Sequence, residues 1–404
     1  MNSPGGDPDS SFKFLLLSRI SRSVALIFTN LSVPLFLSLL GYPVIEIGLL
    51  FAGMAFFSMM IVLVLGMAGD RIGFKTVLII AEIPSLIALL VLSFSSNPIL
   101  LPVAIVIGGV GGTPGAMRGT FSPGLTAYVA KEWDSSSIRQ KRIGQISGTG
   151  SLAAVGGGLL LAVHSLLLPV FGDVSSYRVL YTASLLLMMI SIISLSIISE
   201  SRSHPRKARI MSSGSARHSL KVMASNAANG AGIGLGISIL PLWWKVAYNA
   251  DPFMIGTTFS LSYLMTGIFS ILSSRVRFSN ARNALYVASF SRTFQGLAMV
   301  AVAFSPFFIL SGGLFVARSA VAGFGAPVRS AMNVQGISEG DYGTASSLQG
   351  LSMRLSQTTS GASGYLMDAY IPLPEALGGI VQFVGGLIYY GVFRGRYGKG
   401  DGST

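Results

Sequence analysis

The chain has 404 residues, of which 51% are hydrophobic and only 11% charged, with a mean hydropathy of +0.66. Soluble domains carry about 25% charged residues, so a water-soluble fold cannot hide this much apolar surface. The net charge of +13 is scattered between apolar stretches with no aromatic-interleaved basic patch, which argues against nucleic acid; the lack of cysteine excludes disulfides, thiolate metal sites and cysteine nucleophiles.

In chain order, Met1 to Ser11 is acidic and polar and lacks the basic start of a cleavable signal peptide, so the first apolar span is expected to be retained. Windows of about 20 residues then give twelve candidate membrane spans, at roughly 14–40, 45–68, 76–95, 99–120, 145–170, 177–198, 222–248, 253–273, 283–304, 306–328, 344–367 and 372–393. The apolar runs Gly48 to Met67 and Thr76 to Phe94 are joined by a short charged turn, so the chain must double back between them. At about 1.5 Å per residue each run crosses a hydrocarbon layer of roughly 30 Å. The turn carries Gly66, Asp70, Arg71, Gly73 and Lys75 in the pattern Gly-x-x-x-Asp-Arg-x-Gly-x-Lys. Gly66 allows close helix approach, Gly73 can take a positive φ, and the charges mark the water boundary.

Further along, glycines crowd the fourth, fifth and seventh spans, where they suit close helix packing and sliding. Gly232, Gly234 and Gly236 sit inside an apolar span with no preceding strand, which rejects a dinucleotide-binding loop. Ser199 to Ser219, rich in Ser, Arg, Lys and His, has no apolar period and reads as a solvated basic linker, His204 and His218 included. Its charge can attract anionic lipid head groups, at about 1 kcal/mol per basic residue. Trp243 and Trp244, beside Lys245, read as an interfacial anchor at the outer end of the seventh span. With the N terminus inside, the inner loops and tail hold most of the 28 Lys and Arg residues, among them Arg71, Lys75, Lys141, Arg142, Arg206, Lys207, Arg282 and Arg394, while the outer loops hold Arg178 and Lys245. The bias places both termini in the cytoplasm.

The halves read as an old duplication. At an offset of about 207 residues Pro34 falls on Pro241, Lys75 on Arg282, and the pair Arg19 and Arg22 on Asn226 and Asn229. At a slightly larger offset Gln145 meets Gln357 and Ser151 meets Ser363.

The charged turn between the second and third spans resembles the signature loop of the major facilitator superfamily of secondary transporters. The family usually ends that loop on two basic residues, where here Phe74 precedes a single Lys75. The resemblance covers nearly the whole chain: twelve spans, a six-plus-six layout and a basic central loop. It implies an all-α polytopic membrane protein with twelve transmembrane helices in two pseudo-symmetric six-helix bundles, 1–198 and 221–404, joined by a cytoplasmic linker at 199–220. It also implies alternating access around a central cavity lined by helices 1, 4, 7 and 10, with the signature residues as a conformational latch. The chain is expected to act in the lipid bilayer of the cell membrane as a monomer on a small-molecule substrate, without cofactor, metal or nucleic acid, and with a proton as the candidate coupling ion.

Charges within the spans cost about 2.5–3.5 kcal/mol each at a helix centre unless paired or hydrated. Arg318 and Arg354 fall near mid-depth, Arg22 and Arg118 nearer the cytoplasmic side where they can snorkel, and Arg292 in a span expected to face outward. The segment from Arg318 to Gly323 resembles the family's arginine-bearing helix pattern, which usually lies in helix 4, whereas here it lies in helix 10. Only Glu82 lies clearly within a span; Glu46 and Asp368 fall near the outer boundary. Candidate cavity residues are therefore Arg22, Arg118, Asn226, Asn229, Arg318, Arg354 and Gln357. An arginine-lined cavity suits an anion bound through paired hydrogen bonds. The open alternatives are a neutral or amphiphilic substrate with structural arginines, including proton-coupled efflux, and a non-transporting multi-pass protein or channel. A membrane enzyme is disfavoured, because there is no metal-binding His set, P-loop or Ser/His/Asp arrangement.

Overall fold

The computed structural model describes residues 8–109, 125, 128, 129, 132, 133, 136–200, 212–276, 278, 280–334, 337 and 342–397. Among them there is no strand. The helices are α1 (Pro8–Leu39), α2 (Val44–Ile72), α3 (Phe74–Phe94), α4 (Leu100–Gly108), α5 (Ser136–Phe171), α6 (Asp173–Ile197), α7 (Ser213–Gly236), α8 (Leu240–Tyr248), α9 (Pro252–Arg275), α10 (Ala281–Ala303), α11 (Phe308–Val334), α12 (Tyr342–Ser356), α13 (Ser360–Ala369) and α14 (Leu373–Tyr397). Each of the twelve anticipated spans contains at least one of them, and nine helical stretches among the described residues are long and apolar enough to cross a bilayer. The fourth span is described only over α4. The ninth, α10, carries Arg282, Asn283, Arg292 and Gln295, which lower its apolarity.

Local chemistry sets the ends. Asp251 Oδ1 accepts the Met254 N–H at 2.7 Å, with Pro252 at the first helical position of α9, where a missing N–H does no harm. Asn280 Oδ1 accepts Asn283 N–H at 3.1 Å at the start of α10, and Ser212 Oγ accepts Ser215 N–H at 3.3 Å at the start of α7. That cap corrects the linker reading: Ser213–Ser219 is helix, and His218 is buried, its Nε2 3.0 Å from the Asn333 carbonyl and its ring on Phe393. Residues 201–211, with His204, lie outside the described residues.

Two compact units are present. Unit 1 is Met1–Tyr42, Gly53–Ala208 and Asp251–Ser260; unit 2 is Pro43–Ala52, Arg209–Ala250 and Leu261–Thr404. In unit 1, α1 packs on α5 and α6, and α3 on α4 and α6. Aromatic rings close this core, with Phe36 and Tyr181 at 5.3 Å. In unit 2, α14 packs on α7 and α10, α11 on α10, and α12 on α7. Trp243 and Trp244 are both buried in unit 2, donating from Nε1 to the Ile371 carbonyl at 2.6 Å and to Ser311 Oγ at 2.9 Å. They are core anchors with satisfied N–H groups, not an interfacial belt as the sequence suggested.

Small residues permit close backbone approach in each unit. In unit 1 a Cβ on Gly256 would lie 2.5 Å from the Gly158 carbonyl oxygen; in unit 2 a Cβ on Gly48 would lie 2.9 Å from the Gly364 nitrogen. Gly256→Val should therefore force the first turns of α9 off α5 and destabilise by about 1–3 kcal/mol. A detergent melting curve checks this: the midpoint should fall by several degrees, while Gly144→Val, at a glycine with open space around it, should leave it near wild type.

Candidate functional site

Among the signature residues, the backbone of α2 runs helical to Ile72, and Gly73 reverses it with φ of 87° before α3 begins at Phe74. The side chains of Asp70 and Arg71, and the surroundings of Gly66, lie outside what is described. The exposed N terminus of α3 is capped by Glu200, which the sequence reading did not single out. Its carboxylate accepts Phe74 N–H at 3.0 Å and Lys75 N–H at 2.8 Å, while Lys75 Nζ donates to the Ser196 carbonyl at 2.7 Å. An acid at a helix N terminus meets two orphan donors and the positive end of the dipole. The loop is thus fastened to the end of α6 within unit 1. Nearby Tyr128 donates to the Ser199 carbonyl at 2.6 Å, and burial, with the charges of Glu132 and Glu200 adding, pushes its phenol up, so it remains a donor at any working pH.

Deeper in unit 1, Arg22 does not snorkel to water. It is 4% exposed, and its Nη1 donates to Glu82 Oε2 at 2.9 Å across α1 and α3. Ser191 of α6 donates to the other carboxylate oxygen at 3.4 Å and lies 2.9 Å from Ser18 Oγ. Arg19 packs on Gly150 of α5, where a Cβ would lie 2.5 Å from its Nε, and its charge also reaches Glu82. The long arginine stem lets α1 reach the single acid of α3. Arg118 lies outside the described residues.

Unit 2 has a different charge balance. Arg292 of α10 donates to Ser225 Oγ and to Asn226 Oδ1, the latter at 2.6 Å, both on α7, and lies 5.2 Å over the Tyr389 ring. Arg318 of α11 donates to Gln382 Oε1 of α14 at 2.7 Å, and Arg329 donates to Ser291 Oγ of α10. The charges of Arg292 and Arg318 both reach Arg329. Every partner named is neutral, and none of the three guanidinium groups meets a carboxylate among the described residues. Asn226 is thereby committed to Arg292, and Arg329 joins the group although the sequence reading passed over it at the end of its span.

The remaining candidates lie along α7 and α12. The seventh span breaks between α7 and α8 at Ile237–Ile239, and the eleventh breaks into a 3₁₀ turn at Gln357–Thr359 between α12 and α13. The turn of the eleventh span packs on α7: Thr359 donates to the Ala231 carbonyl at 2.8 Å, and Ser363 of α13 to the Leu235 carbonyl at 2.7 Å. A 3₁₀ stretch inside a long helix marks a hinge or a site, and transporter sites are commonly built where helices are interrupted. Asn229 and Arg354 occupy the same helix pair, with Gly230 set against the Met353 carbonyl, and Gln357 opens the break. A second acid missed by the sequence reading is Glu375, inside the first turn of α14. It is fully buried, and neither carboxyl oxygen has a hydrogen-bond partner among the described residues. A single carboxyl in the 372–393 window was the available signal.

No family model matches this sequence, and no curated protein matches it. Solved structures do. A mutant form of the nucleoside transporter NupG superposes with a TM-score of 0.70 at 12% identity over 95% of this chain and 100% of its own. An auto-inhibited POT family peptide transporter gives 0.76 at 11% identity over 96% and 97%. The human organic anion transporter MFSD10 (TETRAN) gives 0.63 at 13% identity over 94% and 99%. At such identities the likeness is one of fold: the chain has the all-helical major facilitator fold.

Breaking the Arg22–Glu82 pair should be severe, since an uncompensated buried charge costs about 3–5 kcal/mol. Glu82→Gln is expected to lower the melting midpoint strongly in detergent, and the double change Arg22→Met with Glu82→Leu to restore much of it. A milder test is Gly73→Ala, which combines a strained φ with a Cβ 2.9 Å from Glu200 Oε2. It should destabilise by about 1–3 kcal/mol.

Proposed function

We propose that this chain is a secondary transporter that moves a small anionic organic solute across the cell membrane by alternating access, with both termini in the cytoplasm and two six-helix halves joined by the basic segment that ends at the Ser212 cap of α7. The carrying observation is the uncompensated cluster of Arg292, Arg318 and Arg329 in unit 2. Buried cations held by neutral amides and hydroxyls leave a positive field that an anion can satisfy, and guanidinium groups bind carboxylate or phosphate through paired hydrogen bonds. Arg354 and Asn229, on the packed pair α12 and α7, and Gln357, at the 3₁₀ turn, are assigned to contact the substrate; Arg318 and Arg292 set the field, with Asn226 holding Arg292. Arg22 and Arg118 are the corresponding candidates of the first half. Gly66, Asp70, Arg71, Gly73 and Lys75 act as the conformational latch, with Glu200 as its fixed partner. The fold neighbours support the class: nucleosides, peptides and organic anions are small organic solutes, and one of the three is anionic.

A second feature favours proton coupling. Glu375 is a fully buried carboxyl with no hydrogen-bond partner among the described residues, which is the kind of intramembrane group that marks proton paths.

Uptake into proteoliposomes tests the main reading. A panel of organic carboxylates and phosphates should show saturable uptake and counterflow, while the neutral amides of the same acids should not. Arg318→Gln should weaken uptake of the accepted anion at least about tenfold, equivalent to ~1.4 kcal/mol, and Arg318→Lys should recover only part, since it lacks the fork. Equal transport of acid and amide by the wild type would reject the anionic substrate. Orientation has its own test in this cysteine-free chain: with single cysteines at Ser175 and Ser212, an impermeant thiol reagent should label intact cells only at position 175.

A further inference from the structure

Away from the proposed substrate residues, a small pocket of about 100 Å³ opens on unit 2 between the first turn of α10 and the last turns of α14, lined by Arg282, Leu285, Tyr286, Tyr390 and Arg394. Arg282 Nε and Nη2 both donate to Tyr286 Oη, at 3.2 and 3.1 Å, so the guanidinium is held against the pocket wall. The rings of Tyr286 and Tyr390 stack at 5.8 Å with 22° between their planes, and the charge of Arg394 reaches Tyr286 from the facing helix. No carboxylate lines the pocket, and neither arginine has one as partner among the described residues. Two cations and two phenol groups therefore converge on one small space.

The surface beyond the pocket says which anion fits. Going along both helices away from the arginines, the side chains that face outward are apolar: Phe290 (64% exposed) and Leu297 on α10, Val384 and Leu387 on α14. A soluble anion has no use for such a stripe, whereas a phospholipid places its phosphate at the charged end and its acyl chains along the apolar one. Tyrosines at the boundary and basic pockets between helices on the cytoplasmic side are the elements of head-group recognition. We propose that this pocket binds the phosphate of an anionic glycerophospholipid in the cytoplasmic leaflet, with Arg282 and Arg394 clamping it and Tyr286 and Tyr390 flanking it.

The test uses the full-length protein in neutral detergent micelles doped with phosphatidylglycerol, phosphatidylcholine or, as the soluble counterpart, glycerol 3-phosphate alone. Phosphatidylglycerol should raise the melting midpoint by several degrees in a saturable manner; the other two should not. The double variant Arg282→Gln with Arg394→Gln removes two exposed charges, so it should fold, and it should need at least about tenfold more phosphatidylglycerol for the same shift. A control, Arg217→Gln with Lys221→Gln, removes two exposed charges elsewhere in unit 2 and should respond as wild type. The proposal is overturned if the pocket variant responds like wild type, if the control loses the response equally, or if glycerol 3-phosphate alone reproduces the shift, which would make the pocket a soluble-phosphate site.

Discussion

The constraint behind this structure is the expense of burying a full charge where water cannot reach it. A guanidinium inside a helix bundle is tolerated only when something close by answers its charge or at least its donors. Unit 1 answers with Glu82, which takes Arg22 directly and lies within reach of Arg19, and with Ser191 holding the second carboxylate oxygen. Unit 2 answers with dipoles alone: Asn226, Gln382, Ser225 and Ser291 supply oxygen atoms to three arginines and no negative charge. Among the described residues, one unit pairs a buried arginine with a carboxylate and the other holds its buried arginines by neutral oxygen atoms. That asymmetry is what supports the proposed anionic substrate.

The asymmetry is drawn on a repeated plan. In unit 1 the first helix bonds the third through Arg22 and Glu82, and the sixth through Ser18 and Ser191. In unit 2 the seventh span bonds the ninth through Asn226 and Arg292, and the twelfth through Ser225, which donates to the Gly385 carbonyl at 2.8 Å. Ser18 and Ser225 stand about 207 residues apart, the offset at which the halves align. The plan of polar bridges has persisted while the charge has moved: where the first half sets its cation on the first helix and an acid on the third, the second half sets an amide on the seventh and the cation on the ninth.

Much of this was legible in the amino-acid order because a bilayer reads composition crudely. Long apolar runs with charged turns located the nine apolar helical stretches among the described residues, and the glycine of the turn at Gly73 does take the positive φ that a reversal needs. What escaped were features set by depth and partner. Hydropathy windows average over a single carboxyl, so Glu375 vanished into its span, and Glu200 was absorbed into the basic linker, although α3 begins against it. Trp243 and Trp244 followed an interfacial pattern in sequence, yet each indole N–H found an oxygen inside unit 2. Periodicity alone does not show which side of a helix another helix will cover. The break at Gln357–Thr359 was likewise hidden, since no proline marks it, whereas Pro241 in the first turn of α8 was an available signal for the break at Ile237–Ile239.

The uncompensated charge of unit 2 can be tested by supplying the missing acid in place. Gln382 already sits 2.7 Å from Arg318, so Gln382→Glu offers a carboxylate with nearly no change of shape. Melting curves of wild type and variant, each with and without a transported organic anion, give the answer. An internal counter-charge should raise the midpoint of the ligand-free protein and abolish the further rise that the anion produces in the wild type. If the variant instead keeps a wild-type rise with the anion, Arg318 and its neighbours are structural, and the charge of unit 2 does not select the substrate.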